Sequence, residues 1–344
     1  MKREIGFSVF GLLMGFVAAA LISLLLGEDP FLVLQVLARG AAGSWNSTAY
    51  SLYYATPLIF TGLAVAWAFQ AGLFNIGAEG QMAIGGLCAI GFGLGFPELA
   101  FPFSILGTLI SAAIGGAIWG GLAGWLKAYR KVHEVLATIM LNFIAFGVVS
   151  YFVNEAWRNR ESQAPETQVL SESYRLPILS DPLNFAFLIG LAAAFIVGAL
   201  LWKSRFGFFQ RMTGGSPRTG RLAGLNIEAQ IVTAMLVSGA LAGLAGMSDV
   251  IGMSLKLREG FTGGAGFIGI AVALLGRNKP LGVVLSALLF GALHKGSLDL
   301  DLDTEKISRD LSVVIQALII LFVASSKGIG DFEAYLRRRF VKNV

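Results

Sequence analysis

Long uncharged apolar runs constrain this chain more than any other feature of its 344 residues. A helix needs about 20 predominantly apolar residues to cross a bilayer. The runs near that length are Ile5–Leu26, Tyr50–Phe69, Gly80–Phe96, Leu99–Leu126, Val135–Asn154, Leu183–Trp202, Ala229–Ser248 and Leu311–Ser326. Only 14% of the residues are charged, whereas a soluble domain carries roughly 25%. The runs therefore predict an all-α integral membrane protein.

Two shorter apolar pieces, Phe261–Gly276 and Pro280–Leu293, precede the last run. Counting both predicts about ten transmembrane helices, so both termini lie on one side of the membrane. If that side is the cytoplasm, 17 of the 26 Lys and Arg residues are cytoplasmic, as the positive-inside rule requires. We predict one transmembrane domain over residues 1–344, with an outer loop at about 155–182 and a basic inner loop at about 203–228.

Two glycine-rich breaks interrupt the apolar runs, FNIGAEGQMAIGG at Phe74–Gly86 and FTGGAGFIGIAVALLG at Phe261–Gly276. Lipid tolerates irregular backbone only where protein covers it or where it lines a wet cavity. The first break follows a span predicted to run inward, and the second follows one predicted to run outward. The same local design with opposite polarity indicates two inverted repeats with broken or re-entrant segments, which favours a transport pathway between them.

Four polar residues in or near the apolar runs are candidates for that pathway: Asn75, Glu79, Gln81 and Asn142. A carboxylate or amide inside the membrane must be paired or wet, so each is a functional hypothesis by default. Each residue also has a structural alternative. Glu79 can anchor a broken helix by accepting hydrogen bonds from backbone N–H groups that the break leaves free, and Asn142 can form hydrogen bonds between helices. The residues alone leave both alternatives open.

Several function classes are disfavoured by what the sequence lacks. It contains no GxxxxGK[ST] phosphate loop, so any ATP-driven motor must be another subunit. One Cys and two His cannot form a metal cluster, and no catalytic constellation stands out. The GxGxxG match at Gly264–Gly269 lacks the strand–turn–helix context of a dinucleotide site, so close helix packing is favoured. The net charge of +5 comes from basic residues in short loops, which positive-inside topology explains without nucleic acid. We expect no catalytic residue, metal or cofactor.

Four ordered segments resemble the permeases of bacterial ABC importers: NIGAEGQ at Asn75–Gln81, VHEVLATIMLNFIA at Val132–Ala145, SGALAGLAG at Ser238–Gly246 and GFIGIAVALLGRNKPLG at Gly266–Gly282. The similarity is to the branched-chain amino acid/ribose/nucleoside superfamily, nearest the nucleoside or simple-sugar branch. It implies a multi-pass subunit of the bacterial inner membrane that imports a nucleoside or simple sugar. A nucleoside also needs an apolar surface for its base, for which Phe74, Phe261 and Phe267 are candidates.

The resemblance further implies the partners. They are two cytoplasmic ATPase subunits, an extracytoplasmic substrate-binding protein and a second permease, for which a heterodimer is favoured and a homodimer is possible. ATPase coupling is implied for the inner loop, at Gly207, Arg211, Gly214, Pro217, Arg218, Arg221 and Gly224. Thr219-Gly220 stands where the family pattern has two alanines. Because Gly weakens a helix, we expect a shorter or looser docking helix.

One rival interpretation is a stand-alone, ion-coupled secondary transporter of a small polar solute. Inverted repeats and broken helices fit it equally well. Ion coupling normally calls for acidic residues inside the membrane, for which only Glu79 and Asp249 are candidates. A membrane enzyme has less support, because the sequence offers no catalytic cluster.

Overall fold

The computed structural model describes residues 2–304 continuously, and beyond them residues 306, 307, 311, 313–315, 317, 318 and 321. The side chains of residues 2–12 and 26 are not among those described. Within this part of the chain, six helices are long and apolar enough to cross a membrane. The structure is therefore that of a predominantly helical membrane protein, as predicted.

The helices are α1 Lys2–Leu26, α2 Pro30–Ala42, α3 Trp45–Gln70, α4 Ala78–Gly95, α5 Phe103–Arg130, α6 Glu134–Tyr151, α7 Ala186–Lys203, α8 Arg205–Gly215, α9 Pro217–Leu222, α10 Ile227–Asp249, α11 Ala265–Leu275 and α12 Pro280–Asp303. π-helical turns extend α6 over Phe152–Ala156 and α10 over Val250–Ser254. The outer loop contains a short 3₁₀ turn, Glu172–Tyr174, and an antiparallel hairpin of β1 Ile178–Ser180 and β2 Leu183–Asn184.

The predicted runs correspond to helices except in three places. Helix α2 was missed because its apolar stretch is short and contains Arg39, although Asp29 caps its first turn and Pro30 begins it. The run Phe261–Gly276 becomes helical only at Ala265. Helix α12 continues past the predicted end at residue 293 to Asp303.

The run Leu311–Ser326 lies largely outside the described residues. Helix α11, at 11 residues, rises only about 16 Å and cannot cross a bilayer alone. The count of ten crossings and the position of the termini remain predictions.

Helices α4, α5 and α10 pack against one another through glycines. A Cβ added at Gly116 would strike the carbonyl oxygen of Gly239, and one at Gly243 would strike the carbonyl oxygen of Ala112. One added at Gly85 would meet the backbone of Gly243. The glycines of α5 recur every four residues, a spacing that permits this backbone-to-backbone approach.

The chain forms two compact units, one of residues 55–288 and the other drawn from residues 1–54 and 289–344. In the second unit, Gly40 of α2 approaches the backbone of Gly296 in α12, and Lys295 forms an ion pair with Asp299. Both predicted breaks and the inner and outer loops belong to the unit of residues 55–288.

Candidate functional site

The first glycine-rich break separates α3 from α4. Helix α3 ends at Gln70, Gly72 adopts a left-handed φ of 73°, and α4 does not begin until Ala78. The intervening backbone is not helical, so its polar groups need partners other than the helix ladder.

Asn75 supplies several of those partners from a fully buried position. Its Nδ2 donates to Gln81 Oε1 and to Ser238 Oγ, both at 2.8 Å. Its Oδ1 accepts from the Gly77 N–H at 2.9 Å, and Ser238 Oγ in turn donates to the Ala64 carbonyl at 2.6 Å. The amide therefore ties the break to α10 and, through the serine, to α3.

Asn142 of α6 holds the start of α4 from the other side. Its Oδ1 accepts from the Gly80 N–H at 2.9 Å, and its Nδ2 donates to the Ile76 carbonyl at 3.1 Å. One side chain thus satisfies a donor inside the first turn of α4 and an acceptor just before it. Gly80 has no room for a Cβ because Asn142 lies directly against it.

The second break lies between the end of α10 and α11. Leu255, Gly260, Gly263 and Gly264 all adopt positive φ, and α11 begins at Ala265. Glycine populates this conformation without the Cβ penalty that other residues incur. The glycines in the predicted motif therefore make the turn that points α11 back into the helical unit.

Glu79 joins the two breaks. Its carboxylate accepts from the Gly264 N–H at 3.1 Å and from the Gly266 N–H at 2.6 Å, and the residue is 2% exposed. A carboxylate at the N-terminus of a helix satisfies orphan N–H groups and complements the helix dipole. Thr61 of α3 donates to the Ala265 carbonyl at 3.0 Å, so three elements meet at this point.

Helices α4 and α11 diverge from this junction. Along α4, Gly91 lies against Trp157, so the helix runs towards the outer loop. Beyond α11, the Asn278 carbonyl accepts from Gln70 at the end of α3. Because Thr61 lies nine residues before Gln70, the junction is about 14 Å of helix rise from that end. The N-termini of α4, with 18 residues, and of α11, with 11 residues, therefore meet deep within the helical unit.

The three candidate phenylalanines have different surroundings. Phe74 packs on Phe69 with ring centroids 5.1 Å apart. The Phe261 ring covers Gly86 of α4, where a Cβ would lie 2.5 Å from it. Phe267 on α11 is 45% exposed. Packing against other residues therefore accounts for the buried portions of the Phe74 and Phe261 rings.

The structure thus brings Asn75, Gln81, Asn142 and Glu79 to the two helix starts, where each has protein partners. The hydrogen bonds of Glu79 and Asn142 are those expected if the two side chains have structural roles. A role of these four residues in a solute path stays a prediction. The sequence analysis missed Thr61 and Ser238. A lone hydroxyl in an apolar run is common, so neither residue carried a signal.

The outer loop is bonded to the segment that leads into the second break. The Thr167 N–H donates to the Leu257 carbonyl at 3.0 Å, and the Leu257 N–H donates to Thr167 Oγ1 at 3.0 Å. Glu166, with 8% of its side chain exposed, pairs with Lys256 Nζ at 2.8 Å and with Arg258 Nε at 3.3 Å. The hydrogen bond from Lys256 holds the pKa of the Glu166 carboxyl below its ordinary value, against the opposing effect of burial.

A cavity of about 480 Å³ lies beside this clamp, lined by Asp249, Met253, Ser254, Lys256, Arg258, Glu259 and Phe261. A second cavity, of about 580 Å³, lies on the outer loop itself and includes Glu155, Arg158, Arg160 and Glu161. Both volumes are in the range of small-molecule sites. Neither cavity was predicted, although each is lined by a single stretch of the chain, residues 249–261 for the first and residues 155–169 for the second.

The inner loop folds into two short helices rather than one. Ser204 caps α8 and Ser216 caps α9, each through a hydroxyl that accepts a backbone N–H from three residues ahead. Proline at the first position of α9 stops α8 from continuing into it, and Gly224 ends α9 with a φ of 81°. Helix α9 has only six residues, and its assignment as a docking helix stays a prediction.

The predicted coupling residues fall into two groups. Gly207 and Gly214 of α8 are packed: a Cβ at Gly207 would strike the Leu200 carbonyl, and one at Gly214 would strike the backbone at Gln70 and Gly72. Arg211 also has a contact, with its guanidinium 4.3 Å from the centre of the Trp202 ring.

The second group consists of Pro217, Arg218, Arg221 and Gly224, which are exposed on and just after α9. Arg221 forms an ion pair with Glu228 at 2.6 Å. Leu222, which the sequence analysis did not single out, is 85% exposed beside them. The described part of the chain contains no group of three or more His, Cys, Asp or Glu side chains placed to hold a metal ion.

Comparison with known proteins identifies the chain's relatives. It is 38% identical to the guanosine ABC transporter permease protein NupP of Bacillus subtilis, over 96% of each chain. It is 31% identical to the nucleoside ABC transporter permease protein NupB of Lactococcus lactis, over 94% of this chain and 91% of the relative. It is also 31% identical to the glucose ABC transporter permease protein TsgB13 of Haloferax volcanii, over 80% and 75%.

The family described as "Branched-chain amino acid transport system / permease component" matches residues 47–324, most of the chain. Proteins of this kind are the membrane-embedded transport subunits of ABC transporters rather than enzymes, and in general they work with ATPase and substrate-binding-protein partners. The six long apolar helices agree with a multi-pass protein of the bacterial inner membrane. By motif, by fold class and by full-length similarity, the chain belongs to the permease-component family of ABC importers.

Proposed function

We propose that this chain conducts a nucleoside, or a simple sugar as the second candidate, through the junction where α4 and α11 meet. The observation that carries the proposal is the Glu79 carboxylate bonded across both broken segments. Short helices whose N-termini meet inside a helical unit are the arrangement that inverted-repeat transporters use around their substrate path. The relatives named for guanosine, nucleosides and glucose support this choice of solute.

The two broken segments also support an inverted repeat. Each follows a long helix, each contains at least one left-handed glycine (Gly72 in the first, three glycines in the second), and each ends in a helix that starts at the junction. Helices α4 and α11 leave it towards opposite loops. The ten-span topology with cytoplasmic termini, and the candidate path residues Asn75, Glu79, Gln81, Asn142, Phe74, Phe261 and Phe267, belong to this proposal.

Coupling to ATP hydrolysis would enter through the inner loop. The exposed surface of α9, with Arg218 and Leu222 outward, is suited to dock a cytoplasmic ATPase. The other end of the inner loop touches the first break, because Gly214 lies against the backbone of Gly72. Movement of α8 and α9 would therefore reach the junction through the contact between Gly214 and Gly72. The nucleotide bound to the ATPase would then shift the relative populations of the permease conformations.

The complex would contain two ATPases, an extracytoplasmic binding protein on the outer loop and a second permease. A heterodimer is our first choice for the permease pair, on the resemblance to the nucleoside branch. An ion-coupled carrier would need none of these partners. Uptake that collapses with an ionophore and survives loss of every ATPase would favour that rival.

Substitutions in the inner loop test the coupling proposal. Arg218→Glu reverses a charge on exposed α9 and should reduce the ATPase that copurifies with the permease by about tenfold, since like charges across an interface are costly. Arg205→Glu makes the same charge change on α8, outside the coupling segment, and is the matched control. Normal ATPase binding and uptake in the Arg218 variant would refute the assignment of α9.

Gly214→Val tests separately whether the ATPase binds and whether its movement reaches the first break. The added side chain would displace the backbone at Gly72, whereas the exposed surface of α9 would stay intact. We expect ATPase to copurify normally and solute-stimulated ATP hydrolysis to be lost. Loss of ATPase binding in this variant would show that α8 and α9 cannot be assigned separate roles.

A further inference from the structure

The cavity of about 480 Å³ beside the second break lies immediately next to the junction. Phe261 forms part of its lining and rests on Gly86 of α4. Three residues further along, the Gly264 N–H donates to Glu79. A solute in the cavity would therefore contact the segment whose end is bonded to the junction carboxylate.

The charges around the cavity favour an uncharged ligand. Lys256 and Arg258 are both paired with Glu166, whose single negative charge offsets one of their two positive charges. Asp249 and Glu259 are the two acidic members of the lining. With Glu166, three carboxylates surround two cations, and a phosphorylated ligand would meet net repulsion. A ligand that donates hydrogen bonds would meet acceptors.

Glu259 and Phe261 provide two different contacts two residues apart. Glu259 is exposed and its Oε2 accepts from Asn154 Nδ2 at 3.4 Å, which is long for a hydrogen bond. A carboxylate has about four acceptor positions, so it can accept from two further hydroxyls. Phe261 is partly exposed, and an aromatic face suits a planar heterocycle.

We propose that this cavity is a subsite for an uncharged ribonucleoside, with its vicinal ribose hydroxyls donating to Glu259 and its base against Phe261. The subsite rests on the proposed function, because it assumes that nucleosides enter along the second break. It excludes nucleotides by charge, and it distinguishes ribose from a sugar that lacks the vicinal diol. The volume is in the range of sites that enclose small ligands.

The test compares uptake of labelled guanosine and 2′,3′-dideoxyguanosine by the complete transporter, with its ATPases and binding protein. Glu259→Gln should lower guanosine uptake at least fivefold and dideoxyguanosine uptake less than twofold, because only the first ligand has the diol. The binding protein is the same in both strains, so its own preference cancels in the ratio. Glu98→Gln, an exposed carboxylate outside this cavity, should leave both rates unchanged.

A second measurement does not depend on delivery by the binding protein. Met253→Cys places a thiol in the exposed lining, and a membrane-impermeant maleimide should label it from outside. Millimolar guanosine should slow the labelling at least threefold, and guanosine 5′-monophosphate should not. Adding Glu259→Gln should abolish the protection.

Three results would overturn the subsite. If Glu259→Gln lowers the uptake of both nucleosides equally, the substitution acts on transport in general and not on the diol. If it lowers neither uptake rate and guanosine does not slow the labelling of Met253→Cys, no nucleoside binds in the cavity. Protection by the monophosphate as strong as that by guanosine would refute the charge argument. If the wild-type complex imports neither nucleoside but does import glucose, the nucleoside assignment itself fails, which is a different outcome from failure of the cavity alone.

Discussion

Replacing Glu79 should uncouple the two broken segments. The carboxylate accepts two N–H groups of the second break and is 2% exposed, so water cannot take over its role. Hydrogen bonds to charged groups contribute about 1.5–3 kcal/mol each. In Glu79→Gln the amide oxygen can accept one N–H, but the amide NH₂ then faces the other donor. We expect a loss of about 2–3 kcal/mol in the free energy of unfolding.

Glu79→Ala removes both acceptors and leaves two buried N–H groups without partners. Each such group costs about 1–3 kcal/mol, and a loss of about 3–6 kcal/mol should follow once the missing side-chain volume is included. Glu79→Asp keeps the charge but shortens the reach by one methylene, so its stability should fall between those of wild type and Glu79→Ala. Glu79→Ala should therefore be the least stable of the three variants.

The assay is reversible unfolding of the purified permease in mixed micelles of mild detergent and SDS, followed by far-UV circular dichroism. Glu98→Gln, an exposed carboxylate, controls for loss of one negative charge and should stay within about 0.5 kcal/mol of wild type. The reasoning is refuted if Glu79→Gln unfolds at the wild-type midpoint. It is also refuted if Glu79→Asp is less stable than Glu79→Ala, since charge and reach would then not decide the outcome.

Gly116→Val should lower the unfolding free energy by about 1–3 kcal/mol, because its side chain would force α5 away from the Gly239 carbonyl. Gly147→Val, in open space on α6, is the matched control for SDS unfolding; equal losses in both would contradict the packing argument. The outer loop should open on acidification, because Lys256 holds the pKa of the Glu166 carboxyl below its ordinary value of about 4.5. The stabilisation is complete above that value and disappears as the pH falls through the lower folded-state pKa, so pepsin should cut the loop increasingly in that window. Glu166→Gln should remove this pH dependence, and an unchanged profile would disprove the clamp.

The sequence predicted the class of fold because membrane spans depend on a quantity that is local, the length of an uncharged apolar run. The residues at which helices begin and end were harder to predict. The glycines in the run Phe261–Gly276 predict a break, but the residue at which the helix begins, Ala265, depends on where Glu79 and Thr61 lie in space. The residues of α12 from 294 to 303 were missed because His, Lys and Asp end an apolar run without ending a helix.

The candidate site was predictable to the extent that its residues are chemically unusual for their setting. Glu79, Asn75, Gln81 and Asn142 are conspicuous among apolar neighbours, and the structure gathers all four at two helix starts. Ser238 escaped notice because a serine among small residues also suits close helix packing. The Glu166 clamp pairs residues some 90 positions apart, and no property of either segment indicates its partner.

The glycine contacts among α4, α5 and α10 also limit how this protein can move. Where the carbonyl of one helix rests on the Cα of the next, there is no side chain between them that could switch rotamer to permit sliding. A shift of less than one helical turn would push residues with a Cβ into positions that only glycine can occupy. These three helices must therefore travel as a rigid block. Any alternation of access has to arise at the borders of that block, where the short helices α8, α9 and α11 can pivot.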